Sequence, residues 1–439
     1  MGIIDHFRIA AFALSTILLA FTANGQELLR LQDAKVQAIE NNFDIRIARS
    51  MAEVERENNT MGNAGYLPTI EANSNIERDL NDTRFVFVSG DVQEGSGLEN
   101  ERFGFAVVMD YTLFGGFAVV NEKQRLEMLE KQGEMALRVQ METTIAGLLA
   151  TYYEAMAIKQ QIAAIESALE ISTERLRFTE ERLRLGSGSG LEVLQARVDL
   201  NADSAALVRQ QLELKRMKSV VNELMARDPS IPFELEEGID LGPQMPYEEV
   251  SQKARAANVE LFMARNEARI TALDQKVAQA AYYPEIALQG LYNFQTSEQE
   301  AGFLVESRLS GFTYGLTARW TLFGGFNNRR EAKVAKIRAE MGQVGLEQQE
   351  LQLQGELYRV YESYLTSRRL HRLELRNVEV ARENLDIAQE QMRLGSINAL
   401  ELREAQRNSV DAEFRLIQAA FEAKMAETDL LRLSGGLLE

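Results

Sequence analysis

The sequence predicts an α+β membrane protein that contains the same helix–strand–strand–helix–helix unit twice. A shift of 209 residues carries residues 111–117 onto 320–326, and the same shift carries the Leu-Gly-Ser at 185–187 onto 394–396. Four segments alternate apolar with small or polar residues, as strands do, whereas two stretches of about 65 residues have helical spacing. Solenoid repeats span only about 20–50 residues, so this long period indicates two copies of a half-molecule.

Residues 1–25 are predicted to be a secretory signal peptide. An apolar run from Ile9 to Phe21 follows Arg8, and small residues follow the run. At about 13 residues the run is shorter than the roughly 20 residues of a membrane-spanning helix, and its flanks are typical of a cleavable leader. The alternative is an uncleaved membrane anchor; under both interpretations the bulk of the chain is exported.

The composition argues against several classes of function. The net charge of −18 would repel a phosphate backbone, so nucleic-acid binding is disfavoured. Because the chain has no cysteine, disulfides, thiolate metal sites, a cysteine nucleophile and lipidation at cysteine are excluded. Of the two histidines, His6 lies in the leader and His371 in a charged helical run. We find no nucleophile elbow, metal-spaced histidine cluster or phosphate loop, and expect no catalytic residue, metal, cofactor or enzymatic activity.

The first repeat is assigned to residues 26–228. Its predicted elements are a helix at 28–62, strands at about 69–78 and 102–113 separated by a polar loop at 79–101, and a helix at 117–185. Pro68 prevents the first helix from continuing. Residues 66–68 match 282–284 at a shift of 216, so the first copy is seven residues longer between Pro68 and Tyr111.

A proline-rich linker at residues 229–246 separates the two copies. The second repeat is assigned to residues 247–439. Its predicted elements are a helix at 247–282, strands at about 285–295 and 311–322, and helices at 326–394 and 399–433. Up to residue 394, the order of elements is the one given for the first repeat.

The predicted strands have the length and pattern of a barrel wall that faces lipid. Phe312, Tyr314 and Leu316 lie on one face of the last strand, with small or polar residues on the other. A helix of about 65 residues is about 100 Å long, which suits a tube across the periplasm. Four strands cannot close a barrel, so we expect two copies to share eight strands or three copies to share twelve. Aromatic residues expected in a girdle at the membrane interface are Tyr66, Tyr111, Phe114, Tyr283, Trp320 and Phe323.

The Leu-Phe-Gly-Gly strand ends and the Leu-Gly-Ser turns, each with an acidic residue six positions after its glycine, resemble the TolC-like outer-membrane efflux protein family. The resemblance covers residues 26–439. It implies a homotrimer with a twelve-stranded outer-membrane β-barrel that continues into a long periplasmic α-helical barrel. It also implies contact with outer-membrane lipid, a periplasmic adaptor (membrane fusion) protein and an inner-membrane pump. The implied function is a passive exit duct of a tripartite efflux or type I secretion system.

The two helix turns are the candidate functional site. Residues 186–190, Gly-Ser-Gly-Ser-Gly, follow a helix and are therefore a C-cap and tight turn rather than a phosphate-binding loop. The resemblance assigns adaptor docking to Leu185, Gly186, Ser187, Leu394, Gly395 and Ser396. It assigns an acidic channel mouth to Glu192, Glu401 and Glu404. Family members often carry Tyr three positions before the turn glycine, where this chain has Leu183 and Met392.

Two alternatives remain open at the level of sequence. Glu401 and Glu404 share a helix face, and such pairs are commonly solvated surface. A structural or adhesive exported coiled-coil protein would also explain the long helices. It gives no reason for the one-sided aromatic pattern of Phe312, Tyr314 and Trp320 in an extended segment.

Overall fold

The computed structural model describes residues 27–299 and 305–438, and the predicted signal peptide lies outside the described residues. In chain order the elements are β1 (Glu27–Leu29), α1 (Leu31–Asn41), α2 (Phe43–Asn58), β2 (Thr69–Val86), β3 (Val92–Gly115), α3 (Ala118–Arg184), α4 (Gly190–Leu224), β4 (Phe233–Leu235), α5 (Tyr247–Ala257), α6 (Val259–Ala280), β5 (Glu285–Gln299), β6 (Glu306–Arg319), α7 (Asn327–Arg393) and α8 (Ala399–Leu433). Among the described residues, every helix is too short or too polar to cross a membrane.

The chain divides into two compact units that do not coincide with the two sequence repeats. The first unit comprises the described residues of Met1–Ala48, Arg138–Val259 and Gln352–Glu439. The second comprises Arg49–Leu137 and Glu260–Leu351. Each unit therefore takes segments from both repeats.

The core of the first unit forms around a short parallel strand pair. Strand β1 pairs with β4, with Glu27 opposite Phe233. The hydroxyl of the buried Tyr152 donates a hydrogen bond to the carbonyl of Leu29 at 2.7 Å. Residues 233–235 were expected in a linker; pairing with β1 and burial of Phe233 and Leu235 make them a strand instead.

Two helices predicted as continuous are each interrupted at an asparagine. In the first repeat, the side-chain oxygen of Asn42 accepts from the backbone N–H groups of Asp44 at 2.9 Å and Ile45 at 3.2 Å, which caps α2. Its amide donates to the carbonyl of Leu224 at 3.0 Å. Asn258 stands between α5 and α6 at the matching position of the second repeat. Helical periodicity within one segment cannot predict a buried asparagine whose side chain bonds the carbonyl of a distant residue.

The second unit contains an antiparallel four-stranded sheet in the order β2-β3-β5-β6. Thr69 pairs with Asp110 in the first hairpin, and Glu285 pairs with Arg319 in the second. These pairs differ by 216 residues (69 to 285) and 209 residues (110 to 319), which are the two sequence shifts. The hairpins therefore share one register, and the seven extra residues lie at the far end of the first hairpin.

The first hairpin is longer than predicted, and the expected loop at 79–101 is wrong. Charged residues there continue the strands because they pair across the hairpin. Arg78 contacts Glu99 at 2.7 Å and Glu101 at 3.1 Å, and Arg102 contacts Glu77 at 3.2 Å. At the other end of the sheet, β6 stops at Arg319, three residues before the predicted end.

A β-bulge changes which side chain ends the apolar face of β3. Thr112 pairs with Ala287, but the next pair along the ladder joins Phe114 to Ile286. Leu113, predicted on the apolar face, is thus the extra residue of the bulge, and Phe114 takes its place.

The two faces of the sheet differ in chemistry across all four strands. Cross-strand pairing places Ile70, Met109, Gly290 and Tyr314 in one row of the apolar face. On the opposite face, Gln289 donates to Asp110 at 2.9 Å and accepts from Thr317 at 2.9 Å. The sheet therefore has a continuous apolar face and a hydrogen-bonded polar face.

Candidate functional site

Helices α3 and α7 end in the same hydrogen-bonded turn. The N–H of Ser187 donates to the carbonyl of Arg182 at 2.9 Å, and that of Gly186 donates to Leu183 at 3.0 Å. At the second turn, Ser396 and Gly395 make the equivalent bonds to Gln391 and Met392, at 2.9 and 3.1 Å. The glycines have φ values of 78° and 71°, which side-chain-bearing residues rarely adopt. The expected C-caps are present.

Large apolar side chains beside both turns face solvent. Leu185 is 78% exposed and Leu394 is 74% exposed, and Leu191 and Leu400 at the start of the following helices are also exposed. Each turn therefore leaves two leucines exposed to solvent, one on either side of it.

The helices that follow the turns are capped differently. Ser189 caps α4 by accepting from the N–H of Leu191 at 3.2 Å. Asn398 caps α8 by accepting from the N–H groups of Leu400 at 2.9 Å and Glu401 at 3.0 Å. The carboxylate of Glu401 in turn accepts from the N–H of Asn398 at 3.3 Å, which completes a capping box. Glu401 therefore stabilises the start of α8.

The three predicted acidic residues occupy two environments. Glu401 and Glu404 are exposed on one face of the first turns of α8. Glu192 is half-buried, and its Oε2 has no hydrogen-bond partner among the described residues. It lines a cleft of about 540 Å³ together with Arg403, Arg407 and Leu400. The cleft thus brings the first-repeat carboxylate to the start of the second-repeat helix.

A partly buried ionic network near this cleft was not predicted. Arg403 of α8 contacts both carboxylate oxygens of Asp203 on α4, at 2.7 and 2.8 Å. Arg175 of α3, almost fully buried, contacts Asp199 of α4 at 2.6 Å. Ser172 of α3 donates to Asp203 at 2.6 Å. Three helices are therefore joined by charge-assisted hydrogen bonds.

In this network, burial and hydrogen bonds shift the pKa values of the charged groups in opposite directions. Burial by itself raises the pKa of Asp203, but hydrogen bonds from Arg403 and Ser172 outweigh it and hold that pKa below its ordinary value. Burial lowers the pKa of Arg175, and its hydrogen bond to Asp199 offsets part of the effect. The ionised forms are thus stabilised by their partners.

A sequence signal for the network exists in the duplication itself. The shift of 209 residues places Asn384, Asn408 and Ala412 opposite Arg175, Asp199 and Asp203. It also places Leu194 opposite Arg403. A charged residue in one copy with an uncharged counterpart in the other therefore indicates a contact that only one copy makes.

The predicted aromatic residues lie at the junctions between strands and helices in the second unit. The rings of Phe114 and Phe117 are 5.5 Å apart and meet edge to face, and those of Phe323 and Phe326 do the same at 5.3 Å. The indole of Trp320 donates to the carbonyl of Tyr282 at 3.1 Å. Tyr66, Tyr111 and Phe114 are half-buried, whereas Tyr283, Trp320 and Phe323 are exposed.

A protein-family model described as outer membrane efflux protein matches residues 35–225 and 250–436. The chain belongs to this family. Among its relatives, "Outer membrane efflux protein BepC" of Brucella suis is 20% identical over 96% of this chain and 89% of its own length. "Outer membrane protein OprJ" of Pseudomonas aeruginosa is 23% identical over 93% of this chain and 84% of its own length.

Solved structures of outer-membrane channels share the fold of this efflux protein. The Campylobacter jejuni CmeC channel superposes with a TM-score of 0.79 at 16% identity, covering 93% of this chain and 86% of that one. VceC of Vibrio cholerae superposes with a TM-score of 0.77 at 15% identity, covering 93% and 97%.

Family membership settles the broad function of the chain. It is an outer membrane efflux protein located in the bacterial outer membrane, and it is not an enzyme. The resemblance that its sequence motifs indicate is confirmed, and the adhesive coiled-coil alternative is not favoured.

Proposed function

We propose that three copies of this outer membrane efflux protein form one closed duct. Each copy, exported by its signal peptide at 1–25, would contribute two repeats of the helix–strand–strand–helix–helix unit. Three four-stranded sheets would share a twelve-stranded barrel, and the long helices would continue it as a helical barrel across the periplasm.

The observation that carries this proposal is the sheet. Within the described chain, β2 and β6 each have one neighbouring strand, so both edges are open. Open edges are not tolerated in lipid, because unpaired backbone groups there cost several kcal/mol each. The sheet is apolar on the face of Met109 and Tyr314 and polar on the face of Gln289. Closure with the apolar face outward satisfies both the backbone and the side chains.

The helix turns are the proposed contact with a periplasmic adaptor. Leu185 and Leu394 are exposed at the two turns, beside Gly186-Ser187 and Gly395-Ser396. Burial of such leucines favours association by about 1.5–3 kcal/mol each. An inner-membrane pump acting through the adaptor, in a tripartite efflux or type I system, would supply energy that the passive duct does not have.

The acidic residues form the proposed channel mouth. Glu401 and Glu404 share an exposed helix face one turn beyond the second helix turn, and Glu192 faces the adjoining cleft. A threefold axis would repeat these carboxylates around one pore, where they attract cations and repel anions.

Mass measurement of the detergent-extracted protein, combined with conductance in planar bilayers, tests the proposal. We expect a trimeric mass and a cation-selective conductance that multivalent cations block from the periplasmic side. Glu401→Ala with Glu404→Ala should weaken selectivity and block, whereas Glu390→Ala on exposed α7 should not. A folded monomer without conductance would contradict the duct, and unchanged selectivity in the double variant would contradict the acidic mouth.

A further inference from the structure

We propose that a basic patch on α7 binds the phosphate groups of anionic phospholipids at the membrane surface. The patch consists of Arg329, Arg330 and Lys333, which directly follow the strand–helix junction of the second repeat. The proposal rests on the proposed barrel, because insertion of the sheet is what brings this junction to a membrane surface. It goes further by naming a class of lipid that one junction selects and the other does not.

The two junctions between strand and long helix differ in charge. Residues 326–338, after the second junction, contain five cations and one carboxylate, which gives a net charge of +4. The matching residues 117–129, after the first junction, contain two cations and two carboxylates and are neutral overall. Since the chain as a whole carries −18, the segment after the second junction is a local reversal of charge. A lipid with an anionic headgroup would therefore be attracted to one junction only.

The cations of the first junction are neutralised within the chain. Lys123 contacts Glu127 at 3.0 Å, and Arg125 contacts Glu122 at 2.6 Å. Each cation thus has an acidic partner about one helical turn away, and little of its charge is available to an external anion.

The cations of the patch retain most of their charge. Arg329 and Lys333 are exposed and have no acidic partner among the described residues. Arg330 contacts Glu331 at 2.9 Å, but both side chains of this pair are more than half exposed, so water and salt screen the contact. The two arginines also lie near the start of α7, whose first turn contains no acidic residue. Cations there are unfavourable for the helix itself, so the patch does not serve helix stability.

The patch lies beside aromatic side chains that the proposed barrel places at the membrane surface. Phe326 directly precedes α7, and its ring packs edge to face against that of Phe323 at 5.3 Å. Arg330 and Lys333 follow Phe326 by four and seven residues, which is the spacing of one helix face. Phe323 matches Phe114, which ends the apolar face of β3. By this correspondence the basic side chains lie on the helix face that adjoins the apolar face of the sheet.

An anionic phospholipid is the occupant that fits this arrangement. Its acyl chains would lie against the apolar face of the sheet and the rings of Phe323 and Phe326, and its phosphate would reach the patch beyond them. Arginine donates hydrogen bonds to phosphate oxygens in a fixed, bidentate geometry. Basic segments next to a membrane attract anionic lipids over zwitterionic ones, because only the former carry net charge. A free phosphate ion would gain nothing from the apolar and aromatic part of the site.

The single tryptophan of the chain gives a local readout of lipid at this site. Trp320 lies at the second junction and is exposed. The full chain is reconstituted into phosphatidylcholine vesicles that contain phosphatidylglycerol. Bromine atoms, which quench tryptophan fluorescence on contact, are placed on the acyl chains of one lipid at a time. Phosphatidylglycerol should be enriched around Trp320 at least roughly fivefold over its share of the vesicle at low salt, and high salt should reduce this enrichment.

Removal of the patch charges tests the assignment. Arg329→Gln with Arg330→Gln and Lys333→Gln should lower the enrichment to about one, so that the two brominated lipids quench Trp320 in proportion to their shares. Quenching by brominated phosphatidylcholine should persist, because the apolar face and the aromatic rings stay in place. Inorganic phosphate at millimolar concentration should leave the wild-type enrichment intact, since it lacks acyl chains.

The matched control removes three cations elsewhere on α7. Arg369, Arg372 and Arg376 are exposed and lie further along the same helix. Replacing all three by Gln changes the net charge by the same amount and should keep the wild-type enrichment. An equal loss in this control would overturn the patch, because the lipid would then respond to the net charge of the chain.

The outcomes separate this inference from the proposed duct. Conducting trimers with the same enrichment before and after removal of the patch charges would overturn the lipid site and leave the duct standing. Loss of trimers from pure phosphatidylcholine vesicles in the patch variant would assign these cations to contacts between copies, and displacement of the lipid by inorganic phosphate would reduce the patch to a phosphate site. Both results would overturn the inference. A chain whose Trp320 is quenched by neither brominated lipid would overturn the duct as well, because its sheet would not be inserted.

Discussion

The two junctions between strand and long helix, at Gly116 and Gly325, have the same sequence and the same backbone but different surroundings. Gly116 and Phe117 have φ values of 60° and 67°, and Gly325 and Phe326 have 63° and 63°. A Cβ atom on Gly116 would lie 2.6 Å from the carbonyl oxygen of Ala280, whereas one on Gly325 would meet only Asn327 at 3.8 Å. Local sequence therefore sets the conformation, and the neighbouring repeat sets how tightly it is packed.

The largest expected effect comes from adding one methyl group at each junction. Gly116→Ala should destabilise the folded chain by about 4 kcal/mol, because left-handed backbone strain adds to a clash with backbone atoms. Gly325→Ala should cost only the strain, about 1–2 kcal/mol. Denaturant unfolding in detergent measures both. Equal effects of the two substitutions on dissociated chains would show that packing at Gly116 is not what distinguishes the junctions.

The two junctions have the same sequence in different surroundings, whereas at the ionic network the two repeats differ in sequence. Arg403→Ala should destabilise the first unit by about 2–3 kcal/mol, because the half-buried Asp203 then keeps only Ser172 as a hydrogen-bond donor among the described residues. The control is Arg197→Ala, whose partner Glu180 lies 3.0 Å away in an exposed pair worth at most about 1 kcal/mol. Hydrogen exchange in α4 and α8 reports the difference; similar exchange in both variants would contradict a stabilising network.

The pair of Arg403 and Asp203 also predicts that acid destabilises the helices that it joins. The pKa of Asp203 lies below its ordinary value in the folded chain. Its contribution to stability is therefore complete above the unfolded pKa of about 3.9 and is lost as the pH falls through the folded pKa. Exchange in α4 should rise below about pH 4, and Asp203→Asn should flatten that dependence. An unchanged pH profile in Asp203→Asn would assign the sensitivity to other groups.

A third comparison places one charge on matched strands. Leu316→Arg in β6 and Val107→Arg in β3 should each destabilise the membrane-inserted protein by roughly 2–3 kcal/mol, because both positions belong to the apolar face. The amount of assembled protein should fall accordingly. Thr317→Arg, on the polar face, should be tolerated better. Heat-modifiable migration on gels measures the assembled fraction, and an equal loss for Thr317→Arg would contradict the assigned faces.

The smallest expected effect compares the two helix caps. Asn398→Ala should cost about 1 kcal/mol, because the capping box with Glu401 is lost. Ser189→Ala should cost less, since Ser189 accepts a single bond from Leu191. Exchange of the first-turn amides of α4 and α8 gives both values, and a larger effect at Ser189 would reverse the ranking.

The periodicity of apolar residues predicted the helices and strands that depend on contacts within one segment or on a single apolar face. Helix α8 runs over Ala399–Leu433 as expected, and the apolar face of β6 includes Phe312 and Tyr314. The interruptions at Asn42 and Asn258 escaped prediction because their side chains bond carbonyls of distant helices.

Site residues divide in the same way. The turn glycines were predictable because a helix end with φ above zero favours glycine. The contact of Arg403 with Asp203 joins residues 200 positions apart, and the capping role of Glu401 competes with the reading of it as a pore residue. Neither follows from spacing within one helix.

The unequal hairpins have a consequence for the exterior of the cell. The paired strands of the first hairpin continue for four residue pairs, up to Val86 with Val92, beyond the position that matches Glu298 with Glu306. At about 3.3 Å per residue this adds ~13 Å of height. If three copies form the proposed ring, this extra paired length recurs three times around it. In the proposed assembly this added length, whose turn exposes Val88, would be open to a large particle from outside the cell, such as an antibody.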